Sequence, residues 1–220
     1  MSDEIKNVEN NNGDIPVAPD NNKEKKEEKQ SIVAEIFDYY ELCIFSLCAV
    51  IVIFSFFVRL CRVDGHSMDY TLSDGEMLLV SDAFYRPQRE DIIVFHDPEM
   101  VNFTGEKGMT LVKRVIATGG EWVDMEIVDQ RLKITIYDKN MENPIVLDDS
   151  EYATYKVNER ALSIGMLQYP LQVPEGSVFV LGDNRRGSTD SRYFGCVIVD
   201  RILGHALMRL TPFDKIGAVD

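Results

Sequence analysis

Apolar and polar positions divide this chain into three stretches of different texture. Residues 1 to about 31 are polar and follow no period, as in Glu9-Asn10-Asn11-Asn12-Gly13-Asp14 and Lys23-Glu24-Lys25-Lys26-Glu27-Glu28-Lys29. Such a stretch holds too little apolar surface to offset the entropy of ordering it, which predicts a disordered tail. Ile32, Val33, Ile36 and Phe37 bring apolar residues back at helical spacing and predict a short lead-in helix. From Leu42 to Val58 the chain carries no charge. As a helix this run extends about 26 Å, slightly less than a hydrocarbon core roughly 30 Å thick. Tyr39 and Tyr40 before it, and Arg59 and Arg62 after it, are suited to the two interfaces. A buried core helix would show a polar face, whereas this run has only Ser46 and Ser55. A cleaved leader would start near residue 1 and end in small residues; this run follows a long tail and ends Phe56-Phe57-Val58-Arg59. The pattern predicts a tail over residues 1–38 and one membrane anchor over 39–62.

Beyond residue 63 the texture changes to short apolar or alternating runs. Met77-Leu78-Leu79-Val80, Asp91-Ile92-Ile93-Val94-Phe95, Leu132-Lys133-Ile134-Thr135-Ile136-Tyr137 and Ser177-Val178-Phe179-Val180-Leu181 read as strands. Gly, Pro, Asp and Asn separate them, and Pro174-Glu175-Gly176 is a turn before the last. No long amphipathic helix is evident, so residues 63–220 are expected to form an antiparallel β domain.

Charge and cysteine usage narrow the partners. A net charge of −14 with no Lys/Arg stripe argues against nucleic acid. Lys23, Lys25, Lys26 and Lys29 precede the apolar run, whereas only Arg59 and Arg62 closely follow it. That asymmetry favours a cytoplasmic N-terminus and a globular part outside the cytoplasm. Cys43 and Cys48 lie in the apolar run, Cys61 just beyond it, and Cys196 stands alone in the globular part. This spacing fits neither a disulfide framework nor a metal site, and no cofactor is expected.

The candidate chemistry rests on a serine and a lysine. Ser67 lies in Val63-Asp64-Gly65-His66-Ser67-Met68-Asp69-Tyr70-Thr71-Leu72, and Lys113 in Leu111-Val112-Lys113-Arg114-Val115-Ile116. A serine hydroxyl needs a base before it attacks a carbonyl, and a desolvated lysine can serve. At an ordinary pKa of about 10.4, fewer than roughly one lysine in a thousand is neutral at pH 7, so burial must lower it. In an extended segment Lys113 shares a face with Leu111 and Val115 while Arg114 projects oppositely, which offers one cation an apolar pocket. Taken alone, the segment fits better a lysine whose head reaches solvent. A third segment, Leu181-Gly182-Asp183-Asn184-Arg185-Arg186-Gly187-Ser188-Thr189-Asp190-Ser191-Arg192-Tyr193-Phe194-Gly195, concentrates polar groups directly after an apolar strand. His66 adjoins Ser67 but points to the opposite face, and neither His96 nor His205 has a catalytic context, so a histidine triad is not expected. Trp122 is read as a packing residue.

Together these segments resemble the type I signal peptidases, membrane-bound Ser-Lys endopeptidases that remove signal peptides from exported proteins. Ser67-Met68 with Thr71-Leu72 resembles the family's nucleophile box and Lys113-Arg114-Val115-Ile116 its general-base box. Gly182-Asp183-Asn184-Arg185 with Ser188, Asp190-Ser191-Arg192 and Gly195 resembles its last box. Gly75-Glu76, Tyr85-Arg86-Pro87 and Asp91-Ile92-Ile93-Val94-Phe95 resemble its remaining strand segment. The resemblance implies that Ser67 is the nucleophile and Lys113 its base, with Ser188 hydrogen-bonded to the lysine amine. It implies structural ion pairs Asp190–Arg192 and Asp183–Arg114, and Met68 at the substrate pocket. The implied fold is a mainly antiparallel β catalytic core with a variable β insertion at about residues 121–173. The implied partners are signal peptides of exported preproteins, with small residues at positions −3 and −1 from the cut, the lipid bilayer and the secretion translocon.

Three positions depart from the commonest family pattern. Tyr70 stands where proline is usual, and Ala117-Thr118-Gly119-Gly120 replaces Gly-Leu-Pro-Gly. Gly65 stands two before the nucleophile, where some members place a serine whose hydroxyl joins the oxyanion hole. This chain would then rely on backbone N–H groups, chiefly that of Ser67, or on water. Two other functions are compatible with parts of the pattern: a self-cleaving repressor of the Ser-Lys type, and a non-catalytic membrane-anchored binding module with the same fold.

Overall fold

The computed structural model describes residues 21–101, 105–153 and 167–219. Of the tail expected over residues 1–38, residues 1–20 lie outside the described residues. The first element, α1, is one continuous helix, Asn21–Phe57. It corrects the sequence reading at both ends. The Lys/Glu segment expected to lack regular structure is helical from Asn21, in keeping with the good helix propensity of Lys, Glu and Gln. At the other end the helix stops at Phe57, and Arg59–Arg62, expected inside the anchor, form the first strand, β1. Within α1, Glu35–Ser55 is long and apolar enough to cross a membrane. Ile36, Phe37, Leu42, Phe45, Leu47 and Phe54 are all exposed on it. The chain divides into two compact units, the first ending at Ile51 and the second beginning at Val52.

The second unit is mainly antiparallel β. Its larger sheet runs in the order β1 (Arg59–Arg62), β2 (Met77–Ser81), β11 (Ile202–Thr211), β3 (Ile92–Val101), β4 (Lys107–Thr118), β9 (Ser177–Leu181) and β10 (Val197–Ile198), with β12 (Gly217–Ala218) paired to β11. Arg59 pairs with Val80 and Arg62 with Met77, which fixes the register of β1 on β2. Ser81 Oγ donates 2.7 Å to the carbonyl of Phe57, satisfying one of the helix's terminal acceptors. A second sheet, β7 (Ile145–Val146), β6 (Arg131–Tyr137), β5 (Trp122–Val128) and β8 (Leu171–Gln172), comes from the connection between β4 and β9.

Three apolar clusters hold these layers. Val63, Met68, Leu72, Leu78, Val80, Ile92 and Val94 form one; Ile93, Phe95, Val115, Val178 and Val180 a second; Ile116, Val123, Ile134, Ile136, Phe179 and Leu181 a third under the second sheet. Each fully buried side chain of this kind contributes roughly 1.5–3 kcal/mol. β4 lies between β3 and β9, and its residues Lys113 through Ala117 are all buried. That central position takes both cations of the Lys113-Arg114 pair out of water, where the sequence reading assigned an apolar setting only to the lysine.

Candidate active site

Ser67 sits in the connection between β1 and β2. The side chains on either side of the turn are pinned: Val63, Met68 and Leu72 are each at most 3% exposed in the first cluster. The N–H groups of Thr71 and Leu72 donate to the Met68 carbonyl at 3.1 and 2.8 Å, closing one helical turn directly after the serine. Tyr70 within that turn has φ of +88°. Proline, fixed near −65°, could not follow this path, so the Tyr70 departure from the usual box is matched by a different backbone.

Lys113 approaches from β4. Its Nζ lies 2.8 Å from Ser67 Oγ and donates to the Val112 carbonyl at 3.0 Å. Desolvation lowers its pKa to about 8, outweighing the carboxylates of Asp190 and Asp183, which pull the other way. A cavity of about 250 Å³ opens beside the pair, walled by Cys61, Val63, Met68, Leu111 and Val112. Met68, expected at a substrate pocket, lines this cavity from inside the core. A larger cavity, about 800 Å³, is lined by Tyr70, Arg89, Tyr152, His205 and Arg209 among others. Neither Ser67 nor Lys113 reaches it, so volume alone does not locate the chemistry.

The loop after β9 closes around the pair. Asp183 receives Arg114 Nε and Nη2 at 3.0 and 2.9 Å, and Thr71 Oγ1 donates to it at 2.5 Å, tying β4 and the turn after Ser67 to one carboxylate. Asp190 receives Arg192 Nε and Nη2, each at 2.8 Å, accepts the Gly182 N–H at 3.1 Å, and caps the short helix α2 (Ser191–Phe194). Both expected ion pairs are present and almost wholly buried. The Ser188 contact differs from expectation. Among the described residues Ser188 Oγ is buried without a hydrogen-bond partner, and it does not bond Lys113. It packs instead against Gly182, where a side chain would collide with both Ser188 and the Ser67 carbonyl.

None of the three histidines is hydrogen-bonded to Ser67 among the described residues. His66 is exposed beside Asp69 at 3.3 Å, His96 lies 3.5 Å from Thr110 Oγ1, and His205 stacks on Tyr85 with Nδ1 3.0 Å from the Ser81 carbonyl. Several contacts had no signal in the sequence. Asn184 binds the His66-Ser67 backbone through both its own backbone and its side chain. Arg185 reaches the second sheet's connection through Asp149 at 2.6 Å, and Tyr152 lies under the Arg114 guanidinium at 4.1 Å.

A buried amine against a serine in a strand-rich site is the arrangement that comparison with known proteins must account for. Residues 36–211 match the family model described as signal peptidase, peptidase S26. The chain belongs to this family. Signal peptidase I of Streptococcus pneumoniae is 34% identical over 203 residues, covering 80% of this chain and 92% of that protein. Signal peptidase I of Bacillus licheniformis is 32% identical over 187 residues, covering 84% and 94%. A crystal structure of a signal peptidase I from Enterococcus faecalis is 34% identical, covers 55% of this chain and 97% of its own, and has a TM-score of 0.38. This member of the signal peptidase family is a serine peptidase that acts on signal peptides, and its apolar N-terminal helix fits a membrane anchor.

Proposed function

We propose that this signal peptidase uses Ser67 as nucleophile and Lys113 as general base, and cuts exported preproteins after a small residue at the extracytoplasmic membrane surface. The observation that carries the reading is the 2.8 Å separation of Lys113 Nζ from Ser67 Oγ in a setting that lowers the amine's pKa to about 8. The neutral amine accepts the Ser67 proton as Oγ bonds the scissile carbonyl carbon, and the carbonyl π pair moves onto oxygen. The resulting ammonium returns its proton to the departing amine as the peptide bond breaks. Water, deprotonated by the same amine, then attacks the acyl-enzyme and frees Ser67. The 250 Å³ cavity, walled by Val63, Met68, Leu111 and Val112, supports a preference for small apolar residues beside the cut. Lys23, Lys25, Lys26 and Lys29, in the part of α1 that precedes its apolar stretch, support a cytoplasmic N-terminus. Preprotein signal peptides, the bilayer and the secretion translocon are the partners this location implies.

Ser67→Ala and Lys113→Met should each abolish cleavage of a preprotein, read by mass spectrometry of the products, while His66→Ala, His96→Ala and His205→Ala keep most activity. Near-normal cleavage by the Lys113 variant would remove lysine from the mechanism.

A further inference from the structure

We infer that Asn184 is a positioning residue for the oxyanion: it holds the His66–Ser67 peptide plane so that the Ser67 N–H faces the reacting carbonyl. The inference rests on the Ser67–Lys113 reading above. Asn184 grips the backbone on both sides of the nucleophile's Cα. Its Nδ2 donates to the His66 carbonyl at 2.9 Å, and its backbone N–H donates to the Ser67 carbonyl at 3.1 Å. In a trans peptide the C=O and the N–H point in opposite directions from one plane. Fixing the His66 carbonyl therefore fixes the direction of the Ser67 N–H, and fixing the Ser67 carbonyl sets the next plane.

The side chain that does this is itself oriented. Asn184 Oδ1 accepts the Gly187 N–H at 3.0 Å, which turns Nδ2, the donor end, toward His66. The His66 carbonyl also accepts the Asp69 N–H at 3.3 Å, a longer bond within the same turn. The need for such a clamp follows from residue 65. A glycine there supplies no hydroxyl, and its φ of +92° is strained for any side chain that might. Its N–H is committed to Asp74 Oδ1 at 2.8 Å. The Ser67 N–H is left as the principal donor at the nucleophile, and a donor's value depends on its being aimed before charge develops.

The full-length chain in detergent tests this with Asn184→Asp and Asn184→Ala. Aspartate keeps the size and the Gly187 bond but sets an acceptor against the His66 carbonyl. Both variants should lose on the order of ten- to a hundredfold in kcat, less than the roughly 10²–10³ that deleting an oxyanion donor costs. KM and the rise of kcat/KM with pH near about 8 should stay in place, because Lys113 keeps its surroundings. A peptide aldehyde, whose adduct with Ser67 carries the oxyanion, should bind more weakly in step with kcat. A reduced-amide peptide, which lacks that carbonyl oxygen, should bind as before. An Asn184→Asp kcat within twofold of the parent, a loss confined to KM, a shifted pH profile, or equal weakening of both ligands overturns the inference. If Ser67→Ala still cleaves, the dyad fails and this inference with it; an inert Ser67→Ala beside a normal Asn184→Asp overturns the inference alone.

Discussion

At the scale of single residues, the decisive quantity is the state of one amine. Lys113 must be neutral to take a proton, and its pKa of about 8 means kcat/KM should climb as pH rises through that value and level off above it. A pH–rate series on the full chain checks this, and a profile governed by a group near the imidazole value of about 6.5 would contradict it. The same burial carries a stability cost. With the folded pKa lowered from 10.5 to about 8, keeping the ammonium buried costs on the order of 3 kcal/mol wherever both states are protonated. The cost is whole below pH 8 and fades between 8 and 10.5, as the folded protein sheds its proton first. Lys113→Met should therefore unfold at a higher temperature than the parent at pH 7, with the advantage shrinking toward pH 10. A variant that is less stable at pH 7 would show that the lysine's bonds to Val112 and Ser67 outweigh its desolvation. Gly182→Ala should act oppositely on function and fold: a methyl there meets Ser188 Oγ and the Ser67 carbonyl, displacing the nucleophile. We expect at least a hundredfold loss of cleavage by the order-of-magnitude cost of misplacing a reacting group, with the β domain still folded by circular dichroism.

At the scale of elements, what the sequence revealed followed from how local the signal was. β2, β3, β6 and β9 announced themselves as short apolar or alternating runs between turn residues. Ser67, Lys113 and the two ion pairs were legible because each sits in a dense box. β11 was not, because register shifts between Ile202 and Gly204, Ala206 and Met208, and Arg209 and Thr211 break its period of two. β1 was hidden because two arginines after an apolar run read as interfacial anchors, and only its pairing with β2 shows otherwise. The Asn184–His66 contact joins residues far apart in sequence and leaves no mark on either segment. The boundary at Phe57 has a practical outcome. A truncation beginning at Val58 keeps β1, whereas one beginning at Val63 exposes the edge of β2. The Val58 form should melt several degrees higher by thermal denaturation, as loss of about 1 kcal/mol or more implies for a domain of this size.

At the scale of the whole molecule, the exposed apolar side chains of α1 fit a membrane anchor. The full chain should stay with membranes through alkaline extraction, and a form beginning at Val58 should be released; recovery of the full chain in the soluble fraction would remove the anchor. Only Val58 intervenes between α1 and β1, and β1 is locked by four paired residues to β2. Ten peptide steps separate Phe57 from Ser67, and even fully extended they span no more than about 35 Å. That length is a radius of action: a preprotein whose cut site stands farther from the anchor's end lies out of reach, however well its residues suit the cavity.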